Sequence, residues 1–163
     1  MVRFIKSLFS QPEPVGPPEP VGSFTSADKP IAHDAVSADG DGWRIEFGDS
    51  GSVRLFEVPQ PGVEDCLLTY RARVKTEGAE GKVYLEMWCR LPGKGEFFSK
   101  GLQQAVLGAT DWASHETPFY LKAGQRPDLI KLNLASDGRA VAWIKDIELL
   151  RTPLRRSKLG AGG

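Results

Sequence analysis

Apolar and polar side chains alternate one by one in six short segments of this 163-residue chain. In "WRIEF" (43–47), Trp43, Ile45 and Phe47 alternate with charged residues, and "LIKLNLA" (129–135) repeats the pattern. A period of two is typical of a strand, whereas an amphipathic helix needs a period near 3.6. Gly, Pro and Asp residues that favour turns separate the segments. The sequence therefore predicts an all-β chain, an antiparallel β-sandwich or barrel.

Two of these segments, 66–75 and 82–90, are separated only by "TEGAEG" and are predicted to pair as a hairpin. A two-residue turn at Glu77-Gly78 would set Cys89 opposite Cys66. A slip of two residues changes the register but not the faces, because side chains alternate strictly along a strand. The division of these side chains between two faces is therefore the firmer prediction.

One face of the predicted hairpin is apolar and is assigned to the core. It holds Cys66, Leu68, Tyr70, Ala72, Val74, Val83, Leu85, Met87 and Cys89. Both cysteines are interpreted as small buried hydrophobic residues, with a cross-strand disulfide as the alternative.

The opposite face mixes aromatic rings with planar polar groups and is the candidate ligand-binding surface. A sugar needs a ring to stack on its C–H face and polar side chains to bind its hydroxyl groups. Trp, Tyr and Arg are also frequent in protein interfaces, and a covering sheet, loop or arm would instead bury the rings. The candidate residues are Arg71, Arg73, Tyr84, Glu86 and Trp88, joined by Lys131 and Asn133 from the strand at 129–135.

The chain divides into four predicted regions: a short amphipathic segment (1–10), a Pro-rich linker (11–37), the β-sandwich domain (38–152) and a basic flexible tail (153–163). The linker contains the unit PEPVG twice, and proline favours an extended spacer. The segment at 1–10 has no cleavage site after a proper apolar core, so it is no clear signal peptide. Residues 1–10 are expected to dock on their own domain or to fray, with weak peripheral contact with a membrane as the alternative. No apolar run is long enough to span a bilayer, and a cytoplasmic or peripheral membrane location is expected.

Charge and composition argue against several classes of function. The 21 basic residues balance the 21 acidic residues, so no overall positive field recruits nucleic acid. Two cysteines and two histidines are too few for a disulfide scaffold or a thiolate zinc cage. "PGKG" lacks the rest of a phosphate-binding loop, and no nucleophile–base motif is present. The chain is predicted not to be an enzyme and to need no cofactor.

The last third of the chain resembles the galactose-binding-like jelly rolls, which include many carbohydrate-binding modules. "DGDGW" (39–43) is similar to the opening of that family, so the resemblance covers roughly residues 38–150. It implies a two-sheet jelly roll with a polar ligand face. The residues that carry the resemblance are Trp112, Phe119, Leu121, Pro127, Ile130, Leu132, Leu134, Gly138, Trp143, Ile144, Asp146, Ile147 and Leu149.

The resemblance also implies a structural calcium ion, which some members of the family bind. Asp146 matches the aspartate of the last strand in those members, and Asp39 or Asp41 would supply further oxygen ligands. Lys145 stands where an acidic residue is common, and its ammonium group disfavours a cation there.

Two functions follow from these features. The first is a non-catalytic module that binds carbohydrate on the face with Tyr84 and Trp88. The second is an intracellular interaction or scaffold protein, tethered to a membrane by residues 1–10 and spaced by the PEPVG repeat. The resemblance favours the first, and the missing signal peptide favours the second.

Overall fold

A computed structural model gives the structure of residues 13–32 and 34–155. This part of the chain contains ten strands, one 3₁₀ helix at Leu102–Gln104 and no α-helix, which confirms the all-β prediction. The strands are β1 (Glu13–Pro14), β2 (Glu19–Phe24), β3 (Val36–Asp39), β4 (Gly42–Phe47), β5 (Gly51–Pro59), β6 (Cys66–Leu91), β7 (Gly95–Lys100), β8 (Val106–Leu121), β9 (Leu129–Ser136) and β10 (Ala140–Arg155).

The strands form one antiparallel sheet that curls into the two layers of a sandwich. Its main order is β3-β4-β10-β6-β9-β5. The first half of β6 lies between β10 and β8, and its second half lies between β9 and β7. We call the layer of β3, β4, β8, β10 and the first half of β6 the first layer. The second layer contains β5, β7, β9 and the second half of β6.

The core lies between the layers, and β6 contributes to it from both sides. Every second residue from Cys66 to Val74 is buried, and so is every second residue from Val83 to Leu91. The hydroxyl group of Tyr70 in the first layer donates to the backbone oxygen of Asn133 in the second layer, at 3.1 Å. The predicted division of faces is therefore confirmed for this segment. Both cysteines are buried and free, so the disulfide alternative is wrong.

The predicted hairpin between 66–75 and 82–90 is wrong. Cys66 pairs with Pro153 and Leu121, whereas Cys89 pairs with Ile130 and Phe97. The glycine-rich segment between them is not a reversal but the point where β6 passes from one layer to the other. Gly81 makes this close passage possible, because a Cβ atom there would overlap the backbone nitrogen of Gly138.

The Pro-rich segment is extended, as expected, but it is not a free spacer. β1 and β2 both pair with β10, with Pro14 opposite Leu154 and Phe24 opposite Ile147. The Phe24 ring stacks on Phe56 with 4.2 Å between centroids and packs against the core. Proline has no backbone N–H group to donate, so it is tolerated in edge strands at positions that face away from the neighbouring strand. Residues 13–24 therefore belong to the folded domain.

The C-terminal strand extends beyond the predicted domain boundary at residue 152 and ends at Arg155. Residues 1–10 and the rest of the predicted tail lie outside the described residues, so the predicted membrane contact stays a prediction. In the described part of the chain, no helix has the length and apolar character that crossing a membrane requires.

Candidate functional site

An open cleft of about 510 Å³ lies on the outer face of the second layer. Four neighbouring strands build it, in the order β5, β9, β6 and β7. Outward-facing side chains of these strands form its surface because each strand alternates between core and exterior. The lining residues are Ser52, Arg54, Glu86, Trp88, Glu96, Lys131 and Asn133.

Glu86 organises the floor of the cleft. It pairs with Asn133 on β9 and is only 6% exposed. Its Oε1 atom accepts hydrogen bonds from Ser52 Oγ at 2.8 Å, Asn133 Nδ2 at 3.0 Å and Trp88 Nε1 at 3.1 Å. One carboxylate oxygen therefore orients a hydroxyl, an amide and an indole from three adjacent strands.

The network keeps Glu86 ionised at neutral pH. Burial alone would raise the pKa of this carboxyl group, but the hydrogen bonds from Asn133, Ser52 and Trp88 and the charge of Lys100 lower it below its ordinary value. An ionised carboxylate only accepts hydrogen bonds, so its three donors are held in one arrangement. The cleft floor is consequently preorganised.

Two buried polar atoms at the cleft have no hydrogen-bond partner among the described residues. They are Asn133 Oδ1 and Arg54 Nε, which belong to side chains that pair across β9 and β5. Buried polar atoms are paired in the great majority of cases, and leaving one unpaired costs about 1–3 kcal/mol. The cleft thus contains one acceptor and one donor with unused capacity.

An aromatic wall stands beside this polar floor. The Trp88 ring is half-buried, and its centroid lies 5.1 Å from that of Phe98, which is opposite it on β7. The two ring planes meet at 50°, and Phe98 is 55% exposed. Lys100 places its Nζ 5.1 Å from the Phe98 ring. The ring of Trp88 is therefore not sealed in the core.

Ion pairs neutralise the basic residues of the cleft. Lys131 Nζ lies 2.9 Å from Glu96 Oε2, and Arg54 Nη1 lies 3.0 Å from Glu57 Oε2. Both acidic partners belong to strands that border the cleft. The cleft thus offers polar hydrogen-bonding groups without a large excess of charge of either sign.

The structure brings together four of the seven candidate residues from the sequence: Glu86, Trp88, Lys131 and Asn133. Tyr84 shares their sheet face but is buried and donates to Asp137 Oδ1 at 3.4 Å, outside the cleft.

Arg71 and Arg73 are wrongly grouped with these residues. They lie on the outer face of the first layer, opposite Glu148 and Lys145 of β10. The reason is the failed hairpin, because β6 crosses to the other layer between these arginines and Trp88.

Four residues at the cleft are not among the candidates predicted from the sequence: Ser52, Arg54, Glu96 and Phe98. Ser52 and Arg54 reach it because β5 pairs with β9, which is far away in sequence. Their outward position on an alternating segment was a usable signal. The local sequence, however, does not show that β5 lies beside β9. Phe98 had a signal too, since two adjacent phenylalanines on one strand must point to opposite sides.

The aspartates proposed for calcium are not gathered into a cluster of acidic side chains in the described part of the chain. In residues 13–32 and 34–155, no group of three or more His, Cys, Asp or Glu side chains is arranged to hold a metal ion. Asp41 lies 3.7 Å from Lys145 Nζ, which is the ammonium group expected to disfavour a cation. Asp146 lies elsewhere, at a β-bulge with a φ of 54°.

His115 does not line the cleft. It is 5% exposed on β8, opposite Ala72, and burial lowers its pKa. A buried neutral imidazole facing the core fits a structural role.

Several solved structures are similar to this fold. A xylan-binding CBM22-1 domain from Paenibacillus barcinonensis superposes with a TM-score of 0.58 at 8% identity, covering 86% of this chain and 99% of the domain. A structure described as "CBM4 structure and function" superposes with a TM-score of 0.52 at 9% identity, covering 79% of this chain and 77% of the other chain. A family 30 carbohydrate-binding module superposes with a TM-score of 0.50 at 15% identity, covering 87% of this chain and 86% of the module.

The fold of this chain is similar to that of carbohydrate-binding modules. No protein-family model matches the sequence, and a search of curated proteins finds no match. The likeness therefore concerns the β-sandwich fold, which confirms the two-layer prediction. Because one fold can serve many functions, a ligand for this chain has to be inferred from the cleft itself.

Proposed function

We propose that this protein is a non-catalytic carbohydrate-binding module and that its ligand, a polysaccharide chain, binds in the cleft of the second layer. The observation that carries the proposal is the half-buried Trp88 ring beside a preorganised polar floor. The ring offers an apolar surface to the C–H face of a sugar. The floor offers groups of fixed orientation to its hydroxyl groups.

The unpaired atoms support a ligand rich in hydroxyl groups. A hydroxyl group both donates and accepts, so it suits Asn133 Oδ1 as a donor and Arg54 Nε as an acceptor. The paired charges at Lys131 and Glu96 are consistent with a neutral chain.

Substitution of Trp88 tests the proposal. We expect Trp88→Ala to abolish retardation of the protein in affinity electrophoresis through gels containing xylan, the ligand named for the similar Paenibacillus domain. Loss of one stacking ring weakens binding by about tenfold or more. Trp88→Phe keeps a ring and should retain part of the affinity.

The matched control is Tyr120→Ala, which removes another half-buried aromatic ring, on β8 of the first layer and outside both the cleft and the surface that carries Trp112 and Trp143. It should leave retardation by xylan unchanged, and circular dichroism should show that all three variants are folded. A panel of neutral soluble polysaccharides extends the test beyond xylan. Failure of every neutral polysaccharide to retard the wild-type protein would contradict the proposal, as would equal retardation of the Trp88→Ala variant by one that binds.

A further inference from the structure

A second surface with aromatic rings lies on the outer face of the first layer. Trp112 on β8 and Trp143 on β10 are both half-buried there, on either side of β6. Lys75 of β6 pairs with Trp143, and its Nζ lies 4.6 Å from the centroid of that ring and 5.6 Å from that of Trp112. Lys145 reaches across from β10 and places its Nζ 4.4 Å from the Trp112 ring.

Two ammonium groups are therefore held over the same indole. Cation–π attraction favours each contact, but like charges brought together repel each other. Asp41 is the carboxylate within ion-pair distance of Lys145, at 3.7 Å, and its side chain is 75% exposed. Among residues 13–32 and 34–155, Lys75 has no ion-pair partner. Positive charge on this surface is thus incompletely neutralised.

Arg73 extends the same surface. It is exposed on β6 between Ser114 and Lys145, and it too has no ion-pair partner in the described part of the chain. An adjacent cavity of about 400 Å³ opens beside it. The acidic residues of that cavity are Asp146 and Glu148, and Glu148 is paired with Arg71 at 3.2 Å.

Two further acidic groups of this face contact side chains of the same face. Asp39 Oδ2 accepts a hydrogen bond from Trp143 Nε1 at 3.0 Å, and Glu46 lies 3.4 Å from Arg44. The unpaired cations are consequently Lys75 and Arg73, two positions apart on one strand. We call the surface of Arg73, Lys75, Trp112, Trp143 and Lys145 the aromatic-basic face.

We propose that the aromatic-basic face is a second binding site, which takes a polysaccharide carrying carboxylate groups. The unpaired ammonium and guanidinium groups bind the carboxylates, because charge-assisted hydrogen bonds are the strong ones. The uncovered parts of the two half-buried indoles supply apolar surface for the sugar rings. Acidic peptides lack such flat surfaces, and two unpaired cations are few for the dense phosphates of nucleic acid. This inference is independent of the cleft, since it uses different residues on the opposite layer.

The test is affinity electrophoresis of the full chain in gels containing polygalacturonate. We expect the wild-type protein to be retarded, and the double variant Lys75→Gln/Arg73→Gln to lose affinity by about tenfold or more. Lys94→Gln/Lys122→Gln removes two exposed positive charges elsewhere and is the matched control. It should behave like wild type.

Poly-glutamate distinguishes a glycan site from a general attraction to negative charge. We expect poly-glutamate to compete weakly with polygalacturonate. If poly-glutamate competes as strongly as free polygalacturonate at the same carboxylate concentration, the assignment to a polysaccharide is overturned. No retardation of the wild type, or the same loss in the control pair as in the Lys75/Arg73 pair, would overturn the site itself.

Discussion

At the scale of single residues, the cleft depends on the buried carboxylate of Glu86. It fixes Ser52, Trp88 and Asn133 through one oxygen atom. Alternation along the sequence correctly placed Glu86 and Trp88 on an outer face. It gave no sign that Glu86 would be buried, because that burial comes from neighbours on β5 and β9 that are distant in sequence.

Neutralising Glu86 should destabilise the fold in a pH-dependent way. Glu86→Gln removes the charge that receives three hydrogen bonds, and we expect the free energy of unfolding at pH 7 to fall by about 1–2 kcal/mol. The lowered pKa means that the ionised group contributes stability above its ordinary value of 4.5 and loses that contribution as the pH falls through the folded-state value.

Urea unfolding of the wild type and the Glu86→Gln variant at a series of pH values measures this effect. The difference between the two proteins should be largest at neutral pH and shrink steadily below pH 4.5. A difference that persists undiminished down to the lowest pH at which the wild type stays folded would show that the charge of Glu86 is not what stabilises the network.

At the scale of elements, two local patterns gave the wrong partners. "TEGAEG" has the composition of a tight turn, but the chain there continues from one layer to the other. "PEPVG" has the composition of a spacer, but its second copy lies within and beside β2 and pairs with β10. The extended conformation of "PEPVG" was readable, but that of "TEGAEG" was not, and in both cases the pairing was decided by long-range contacts that composition does not report.

The N-terminal arm, residues 13–24 with strands β1 and β2, should therefore contribute to the stability of the fold. Phe24→Ala removes the ring that stacks on Phe56, and we expect a loss of about 2 kcal/mol, below the range for a fully buried phenylalanine because Phe24 is only half-buried. Thermal unfolding measures it. Val15→Ala, at an exposed position of the same arm, is the control and should change stability by less than about 0.5 kcal/mol.

A melting temperature unchanged by Phe24→Ala would mean that β2 does not complete the core. The arm would then be the spacer that its proline content suggested.

At the scale of the whole molecule, β6 runs through both layers and so gives the protein two different outer faces. The cleft is balanced in charge and built around an acceptor, whereas the aromatic-basic face has unpaired cations. Sequence periodicity was sufficient for the all-β class, and the family resemblance supplied the two-layer sandwich. Periodicity predicted a single outer face where the protein has two, because the continuous strand β6, which passes through both layers, was interpreted as a hairpin.

The central claim, that a neutral polysaccharide binds in the cleft, is tested most directly by the indole N–H signals of the four tryptophans in a nuclear magnetic resonance titration. Variants with single tryptophan replacements assign the signals. On addition of xylan oligosaccharides, the Trp88 signal should shift in a saturable way, because its N–H group donates to Glu86 at the cleft floor. The signal of Trp43, buried in the core, should stay in place. Saturable binding that moves Trp112 or Trp143 while Trp88 stays unchanged would contradict the account.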